Sequence, residues 1–113
     1  MVLGVNHQMH DQPIALTKKT FATPFGEVKT ATDLVDELAA ALPFDAYADE
    51  FAHRDEHSVE LAVTALKHAY GDACPTVVPV LCGSFEPYIA QDIHPGTVPG
   101  PAAFTEALRS LVE

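Results

Sequence analysis

Residues 2–5 read VLGV and residues 76–83 read TVVPVLCG, and these two short apolar runs decide the fold class. Neither run alternates apolar and polar residues, which is the pattern of a strand covered on both faces, as in a parallel sheet. Segments with helical spacing lie between them, and parallel strands need such crossover connections. The sequence therefore predicts an α/β fold in which the two runs form parallel strands.

The other β-prone segment is residues 14–29, IALTKKTFATPFGEVK, where Pro24 and Gly26 separate short pieces. This composition predicts a hairpin, or two small edge strands, with the turn at residues 23–26. Pro79 interrupts the second apolar run. Because proline has no backbone N–H to donate, we expect it at a sheet edge or at a bulge.

Three segments have the spacing of amphipathic helices. Residues 30–44 predict a helix of about 11 residues that Pro43 ends. Residues 59–70 and 102–113 predict the other two. The polar segment 45–57 and the Pro- and Gly-rich segment 87–101 are predicted to be loops, the second unusually long for a small domain.

Composition restricts the class of partner. The 113 residues have room for one domain, and 16 acidic against 6 basic residues give a formal charge of −10. Such a surface repels nucleic acids and anionic membranes. No apolar stretch approaches the ~20 residues of a membrane span, and residues 1–10 lack the features of a secretory signal, so we expect a cytoplasmic protein.

The predicted sheet is thin. It has two strands of the buried type, and the first begins almost at the first residue. A strand that needs cover on both faces, with nothing before it to provide that cover, indicates a piece of a larger domain.

Residues 53–58, HRDEHS, place several titratable groups just before the second helix. One interpretation is a helix start, in which Ser58 caps the helix and Glu56 and Glu60 complement its dipole. The other is the wall of a pocket. The two interpretations are compatible, and we expect His53 and Asp55 to be solvated.

His7 follows the first apolar run within Asn6-His7-Gln8. In open α/β sheets, ligands bind just outside the carboxyl ends of the strands, so His7 occupies a position favoured for chemistry. A lone histidine after a strand is more often a hydrogen-bonded loop residue, and spacing alone leaves both roles open. A site made of His7, His10 and His57 is a further alternative, without a helical His-x-x-x-His pair to support it.

Four segments of the chain resemble the Memo-like family, also called AmmeMemoRadiSam system protein B and related to the class III extradiol dioxygenases. They are LGVNHQ at 3–8, ALTKKTFATPFGEV at 15–28, AHRDEHSVELAVTALKHAYG at 52–71 and VVPVLCG at 77–83. The family pattern has a strand ending in Asn-His or Ser-His, a TP-L-GEV-like turn, an EHS-[IV]-E motif entering a helix, and a strand like IVPVLVG. All four occur here in the same order.

The resemblance implies a dioxygenase-like α/β fold with a non-haem metal pocket, formed in the family by two histidines and a third ligand, a cysteine in Memo proteins. His7 matches the second histidine, and Asn6 beside it is a candidate for orienting the imidazole or a bound ligand. Glu56 and His57 would lie at the rim of the pocket as catalytic candidates, with His57 acting as acid or base. The HAGY-like and SDFSH-like motifs that accompany the other two ligands do not occur in this sequence, so the chain resembles the middle section of the family domain.

The implied metal is Fe(II), another divalent ion or copper, or none at all in this chain, because one matched histidine cannot supply three or four ligands. The intact fold would suit oxidation of a small aromatic or similar organic molecule, or a partner role beside a radical enzyme. We therefore expect no efficient catalysis by this chain alone.

The alternative is a small binding or assembly module. Its exposed sheet edges and apolar faces would be covered by a second copy or by another subunit. A third possibility keeps the enzyme, with a dimer that supplies metal ligands across its interface.

Overall fold

The computed structural model describes residues 1–8 and 12–113, and its mixture of helices and strands confirms the α/β class. Within those residues the strands are β1 (Val2–Val5), β2 (Ile14–Leu16), β3 (Phe21–Thr23), β4 (Gly26–Val28) and β5 (Pro79–Cys82). The helices are α1 (Thr32–Ala40), α2 (Ala52–Asp55), α3 (Ser58–Tyr70), α4 (Glu86–Ile89) and α5 (Pro99–Val112). None of these helices is long and apolar enough to cross a membrane.

The main sheet has three strands in the order β1-β5-β2. β1 and β5 are parallel, with Val2 opposite Pro79 and Val5 opposite Cys82, which confirms the predicted pairing of the two apolar runs. β2 lies antiparallel on the other side of β5. The sequence pattern does not distinguish this three-residue strand from the hairpin that follows it, so residues 14–29 were predicted as one β-prone segment.

Pro79 does not lie at an edge or a bulge, so that prediction was wrong. It is the first residue of the central strand β5. Val2 N donates to Val78 O on the β1 side, and Gly83 N donates to Pro13 O on the β2 side. The backbone N–H and C=O groups of successive residues in β5 therefore point alternately toward β1 and toward β2. The nitrogen of Pro79 faces the β2 side just past the last residue of β2, where the ladder has already ended. The first residue of a strand can therefore be a proline.

β3 and β4 form a separate antiparallel hairpin with Thr23 opposite Gly26, which confirms the predicted turn. Thr23 Oγ1 donates to Gly26 O at 2.6 Å and accepts from Phe25 N at 3.2 Å. Gly26 has φ 119°, a conformation that residues with a Cβ rarely adopt. The hairpin packs against α3.

Two apolar cores lie on the opposite faces of the main sheet. On one face, α1 and α5 cover alternate residues of β2 and β5; on the other, α3 and the hairpin cover the remaining ones. The first core contains Ile14, Leu16, Val35, Leu38, Val78, Val80 and Phe104. The second contains Val2, Ala15, Val28, Val59, Val63, Val77 and Leu81. Cover on both faces explains why the run in β5 shows no polar alternation.

β1 differs from this pattern. Its residues alternate between buried and exposed, because α3 covers one face while Leu3 and Val5 on the other face remain 55% and 53% exposed. In the described part of the chain, α1 and α5 reach across β2 and β5 only. The prediction that β1 is covered on both faces is therefore wrong for the structure as described.

Two short helices lie in segments predicted to be loops. α2 lies within residues 45–57, and α4 begins one residue before the predicted loop 87–101 and continues into it. Four residues are too few to show a helical period, so neither could be recognised. α5 begins at Pro99, three residues earlier than predicted, because Pro99 and Pro101 fit the φ angles of a first helical turn.

α3 lies directly on β1 at Gly4. A Cβ built on Gly4 would lie 2.5 Å from Ser58 Oγ and 2.5 Å from Val59 Cγ2, closer than side-chain atoms can approach. The absence of a side chain at position 4 therefore sets how closely the first turn of α3 approaches the strand.

Gly4→Ala is expected to lower the free energy of unfolding by about 1–3 kcal/mol, because the added methyl group forces α3 away from β1. Chemical denaturation measures this loss. Gly71→Ala is the comparison: it adds a methyl group in open space at φ 54° and ψ −125°, so backbone strain of about 1–3 kcal/mol opposes it, without a steric clash. Unfolding curves for Gly4→Ala that match the parent chain would contradict the close packing.

Candidate functional site

The centre of the candidate site is a contact between His7 and Glu56, residues 49 positions apart. His7 Nδ1 lies 2.8 Å from Glu56 Oε2, and the backbone N–H of His7 donates to Glu56 Oε1. Glu56 sits between α2 and α3 in extended backbone, with φ −96° and ψ 139°. One carboxylate therefore holds both the backbone and the ring of His7.

The two partners differ in exposure. Glu56 is only 6% exposed, while 72% of the His7 side chain is exposed. The hydrogen bond from the His7 ring lowers the pKa of the Glu56 carboxyl, which burial alone would raise. Glu56 is therefore ionised at neutral pH and can only accept hydrogen bonds. It follows that Nδ1 of His7 carries a proton, and in the neutral ring Nε2 is the free nitrogen.

Ser58 does not cap α3, contrary to the sequence interpretation. Among the described residues no side chain caps this helix, and His57 occupies the N-cap position. Ser58 Oγ instead accepts from Val5 N at 2.9 Å and donates to Val5 O at 3.1 Å. Val5 lies on the open edge of β1, where its backbone groups have no strand partner, and the serine hydroxyl satisfies both of them.

A groove of about 490 Å³ lies at the carboxyl ends of β1 and β5. We call it the His7 groove; its lining is Val5, Asn6, His7, Gln8, Gln12, Gly83, Ser84, Glu86 and Pro87. Its place agrees with the rule that open α/β sheets bind ligands beyond their strand ends. His7 follows β1 and lines this groove, while its role in binding a ligand or metal stays a prediction.

Asn6 belongs to the wall of the His7 groove and is buried. Its backbone N–H donates to Cys82 O at 2.8 Å, and its Oδ1 accepts from Gln8 N at 3.1 Å. These bonds shape the turn that carries His7. A role for Asn6 toward a bound ligand stays a prediction.

His57 lies apart from the His7 groove. Its side chain is exposed, and its Nδ1 lies 3.1 Å from Glu60 Oε2 on the same helix. The structure therefore brings Glu56 to His7 but does not bring His57 into the groove lining. His10, which belongs to the alternative three-histidine site, lies outside the described residues.

A family model described as Memo-like protein matches residues 1–95. This range includes the four segments that resemble the family and the strands β1 to β5. The chain belongs to the Memo family. It is 31% identical over 93 residues to a MEMO1 family protein of Archaeoglobus fulgidus, covering 82% of this chain and 34% of that protein. It is 36% identical over 83 residues to one from Methanococcoides burtonii, covering 74% and 30%.

A MEMO1 family protein of Thermococcus kodakarensis is 32% identical over 96 residues, covering 82% of this chain and 33% of that protein. This Memo-family chain thus spans about a third of the length of the curated relatives it matches. No solved structure matches the chain significantly.

The residues of this Memo-family chain fit one metal ligand but not a complete metal site. A metal-binding histidine usually donates its other ring N–H to a carboxylate, which holds the imidazole in place. His7 and Glu56 have this arrangement. Across the described ranges, however, no three His, Cys, Asp or Glu residues converge as metal ligands. We therefore derive no reaction step through a metal.

His53, expected to be solvated, is half-buried instead. Its Nε2 lies 2.8 Å from Ala15 O, and because a carbonyl oxygen only accepts, Nε2 must carry a proton. Burial lowers the pKa of His53, so the ring is neutral at pH 7. Asp55 is exposed as expected and pairs with Arg54 at 3.0 Å. No sequence pattern signals the burial of His53, since it depends on α2 lying against β2.

Glu56→Gln tests the electrostatic part of the His7 contact. Because the pKa of Glu56 is lowered on folding, the ionised carboxylate stabilises the fold above its ordinary pKa of 4.5, and this stability is lost as pH falls below that value. We expect the substitution to cost about 1–3 kcal/mol at pH 7 and to flatten the decline of stability below pH 4.5. Thermal or denaturant unfolding between neutral and acid pH measures both effects.

The matched control is Glu60→Gln, which removes an exposed carboxylate four residues away. It should leave stability at pH 7 nearly unchanged. Equal effects of the two substitutions would contradict the special role of Glu56.

Proposed function

We propose that this Memo-family chain supplies one ligand, His7, to a non-haem metal centre of the dioxygenase-related type, and that Glu56 positions that ligand. The observation that carries the proposal is the double contact of Glu56 with the ring and backbone of His7. It leaves Nε2 as the nitrogen that is free to bind, on a residue that lines a groove.

The His7 groove suits a small organic substrate. Its volume of about 490 Å³ lies within the range of small-molecule sites, and both apolar and polar residues line it. Asn6 would hold the turn in place beside the ligand. His57, exposed and close to Glu60, would take part in proton transfer only if the substrate or a further part of the protein reached it.

Fe(II), another divalent ion or copper would be the metal, and the missing ligands would come from outside the described residues. A single imidazole cannot hold such an ion in fixed geometry. We therefore propose that the 113-residue chain is not an efficient catalyst alone. The chain covers only about a third of its curated relatives, so the activity of a whole Memo-family protein is likewise a proposal for this chain.

Anaerobic titration with Fe(II), repeated with Cu(I) and Zn(II), tests the proposal. We expect weak binding with one component that His7→Ala abolishes and Glu56→Gln reduces about tenfold, because the carboxylate orients the ligand. A competing chelator measures affinity, and the NMR signals of the His7 ring report the site.

His68→Ala serves as the control, because His68 is an exposed histidine on α3 that lies outside the His7 groove. Metal binding that is unchanged in His7→Ala would contradict the role of His7. Tight stoichiometric binding by the parent chain would contradict an incomplete ligand set.

A second candidate function, an assembly module, is favoured by the open edge of β1. Leu3 and Val5 are exposed there, and an apolar surface lined by Met1, Leu3, Ala62, Leu66 and Ala69 continues onto α3. An unpaired strand edge beside an apolar surface is a common site of association. A second copy or another subunit would cover it, and a dimer could also bring metal ligands together across the interface.

Light scattering of the purified chain tests this second candidate. We expect a defined dimer that Leu3→Lys dissociates, because a lysine on a strand edge opposes edge-to-edge pairing. Val112→Lys, at an exposed apolar residue near the end of α5, should leave the dimer intact. A monomer at all concentrations would contradict self-association.

A further inference from the structure

A second pocket, away from the His7 groove, has the features of a ligand site. It encloses about 330 Å³ between the segment that joins β2 to β3, the α2 region and the first turn of α3. We call it the His53 pocket. Its apolar side chains are Phe21, Ala22 and Phe51, and none of its lining residues belongs to the His7 groove.

The wall of the His53 pocket contains a carboxylate held in place from behind. Glu50 Oε1 accepts from Thr17 Oγ1 at 2.8 Å, and Thr17 is buried. Glu50 itself is half-buried between this bond and the pocket. A carboxylate fixed in this way can accept further hydrogen bonds from a ligand without losing its orientation.

His53, which also lines the pocket, contains a hydrogen-bond acceptor that lacks a partner and is closed off from solvent. Nε2 of His53 donates to Ala15 O, so Nδ1 is the acceptor of the neutral ring. Among the residues that the structure describes, Nδ1 of His53 is the buried side-chain nitrogen or oxygen without a hydrogen bond. An unsatisfied buried acceptor is costly, and a ligand would remove that cost only by shifting the side chains that cover Nδ1.

The net charge of the whole chain, rather than that of the lining, favours a cation at this pocket. The chain has a formal charge of −10, and both Glu50 and Glu60 contribute to the lining. Of the two basic residues there, Arg54 is paired with Asp55 and lies over the Phe51 ring, and Lys19 is exposed. The field of the whole protein raises the local concentration of cations.

We propose that the His53 pocket binds a small organic molecule with a primary ammonium group and an apolar, preferably aromatic, body. An ammonium has three donors and no acceptor, which matches the Glu50 carboxylate as its acceptor in the pocket lining. The aromatic rings of Phe21 and Phe51 suit the apolar body of the ligand. This site is independent of the function proposed for His7.

Benzylamine is the probe, followed by ¹H–¹⁵N NMR of the labelled chain at neutral pH. We expect saturable shifts of the backbone signals of residues 17–22 and 50–54, with the signals of residues 6–8 unchanged. The ¹⁵N shift of His53 Nδ1 should also change. Benzyl alcohol, of similar shape but neutral, should bind at least about fivefold more weakly, as expected for loss of a partly exposed charge interaction.

Glu50→Gln should weaken benzylamine binding about fivefold. Glu106→Gln on α5 changes the net charge equally but lies outside the pocket, so it should change the affinity less than twofold. A blocked lysine amide presents the same ammonium on a peptide side chain. Tighter binding of the lysine amide than of benzylamine would assign the site to a peptide rather than to a free amine.

Three results would overturn the proposal. They are equal binding of benzylamine and benzyl alcohol, equal effects of Glu50→Gln and Glu106→Gln, and shifts that do not saturate or that spread over the acidic surface. Because the reporting residues differ from those of the His7 groove, failure here would leave the proposal for His7 unaffected.

Discussion

The contact between β1 and the first turn of α3 is the constraint on which the rest of the structure depends. Ser58 and Val59 lie so close to Gly4 that no side chain fits at position 4. Ser58 then bonds both backbone groups of Val5, and Glu56 bonds the backbone and ring of His7. The HRDEHS segment therefore joins a helix to a strand edge and, through the same bonds, fixes the candidate site.

Because of this contact between β1 and α3, the stability of the fold and the geometry of the candidate site depend on the same side chains. Glu56 is buried, and hydrogen bonds from His7 keep it ionised. An ionised buried carboxylate is stable only while its donors remain in place, so His7 and Glu56 hold each other in position. A change at either residue alters both the fold at the end of β1 and the nitrogen that His7 presents to the groove.

Features that leave a recognisable sequence pattern could be predicted, and contacts that leave no such pattern could not. The apolar runs predicted the parallel pair β1 and β5, and Pro24 with Gly26 predicted the hairpin turn. Ser58 was predicted to cap α3, since nothing in the sequence shows that an unpaired Val5 lies beside it, 53 residues away. β2 could not be separated from the predicted hairpin for the same reason: residues 14–16 form a strand of their own because they pair with β5.

The candidate site divides in the same way. The place of His7 beyond a strand end followed from the α/β pattern, but its contact with Glu56 depends on the packing of α3 against β1. The most direct test of this account is the tautomer of His7, read from long-range ¹H–¹⁵N couplings of its ring at alkaline pH. The account predicts a proton on Nδ1 and a bare Nε2, with this preference lost in Glu56→Gln. A proton on Nε2 with bare Nδ1 in the parent chain would contradict it.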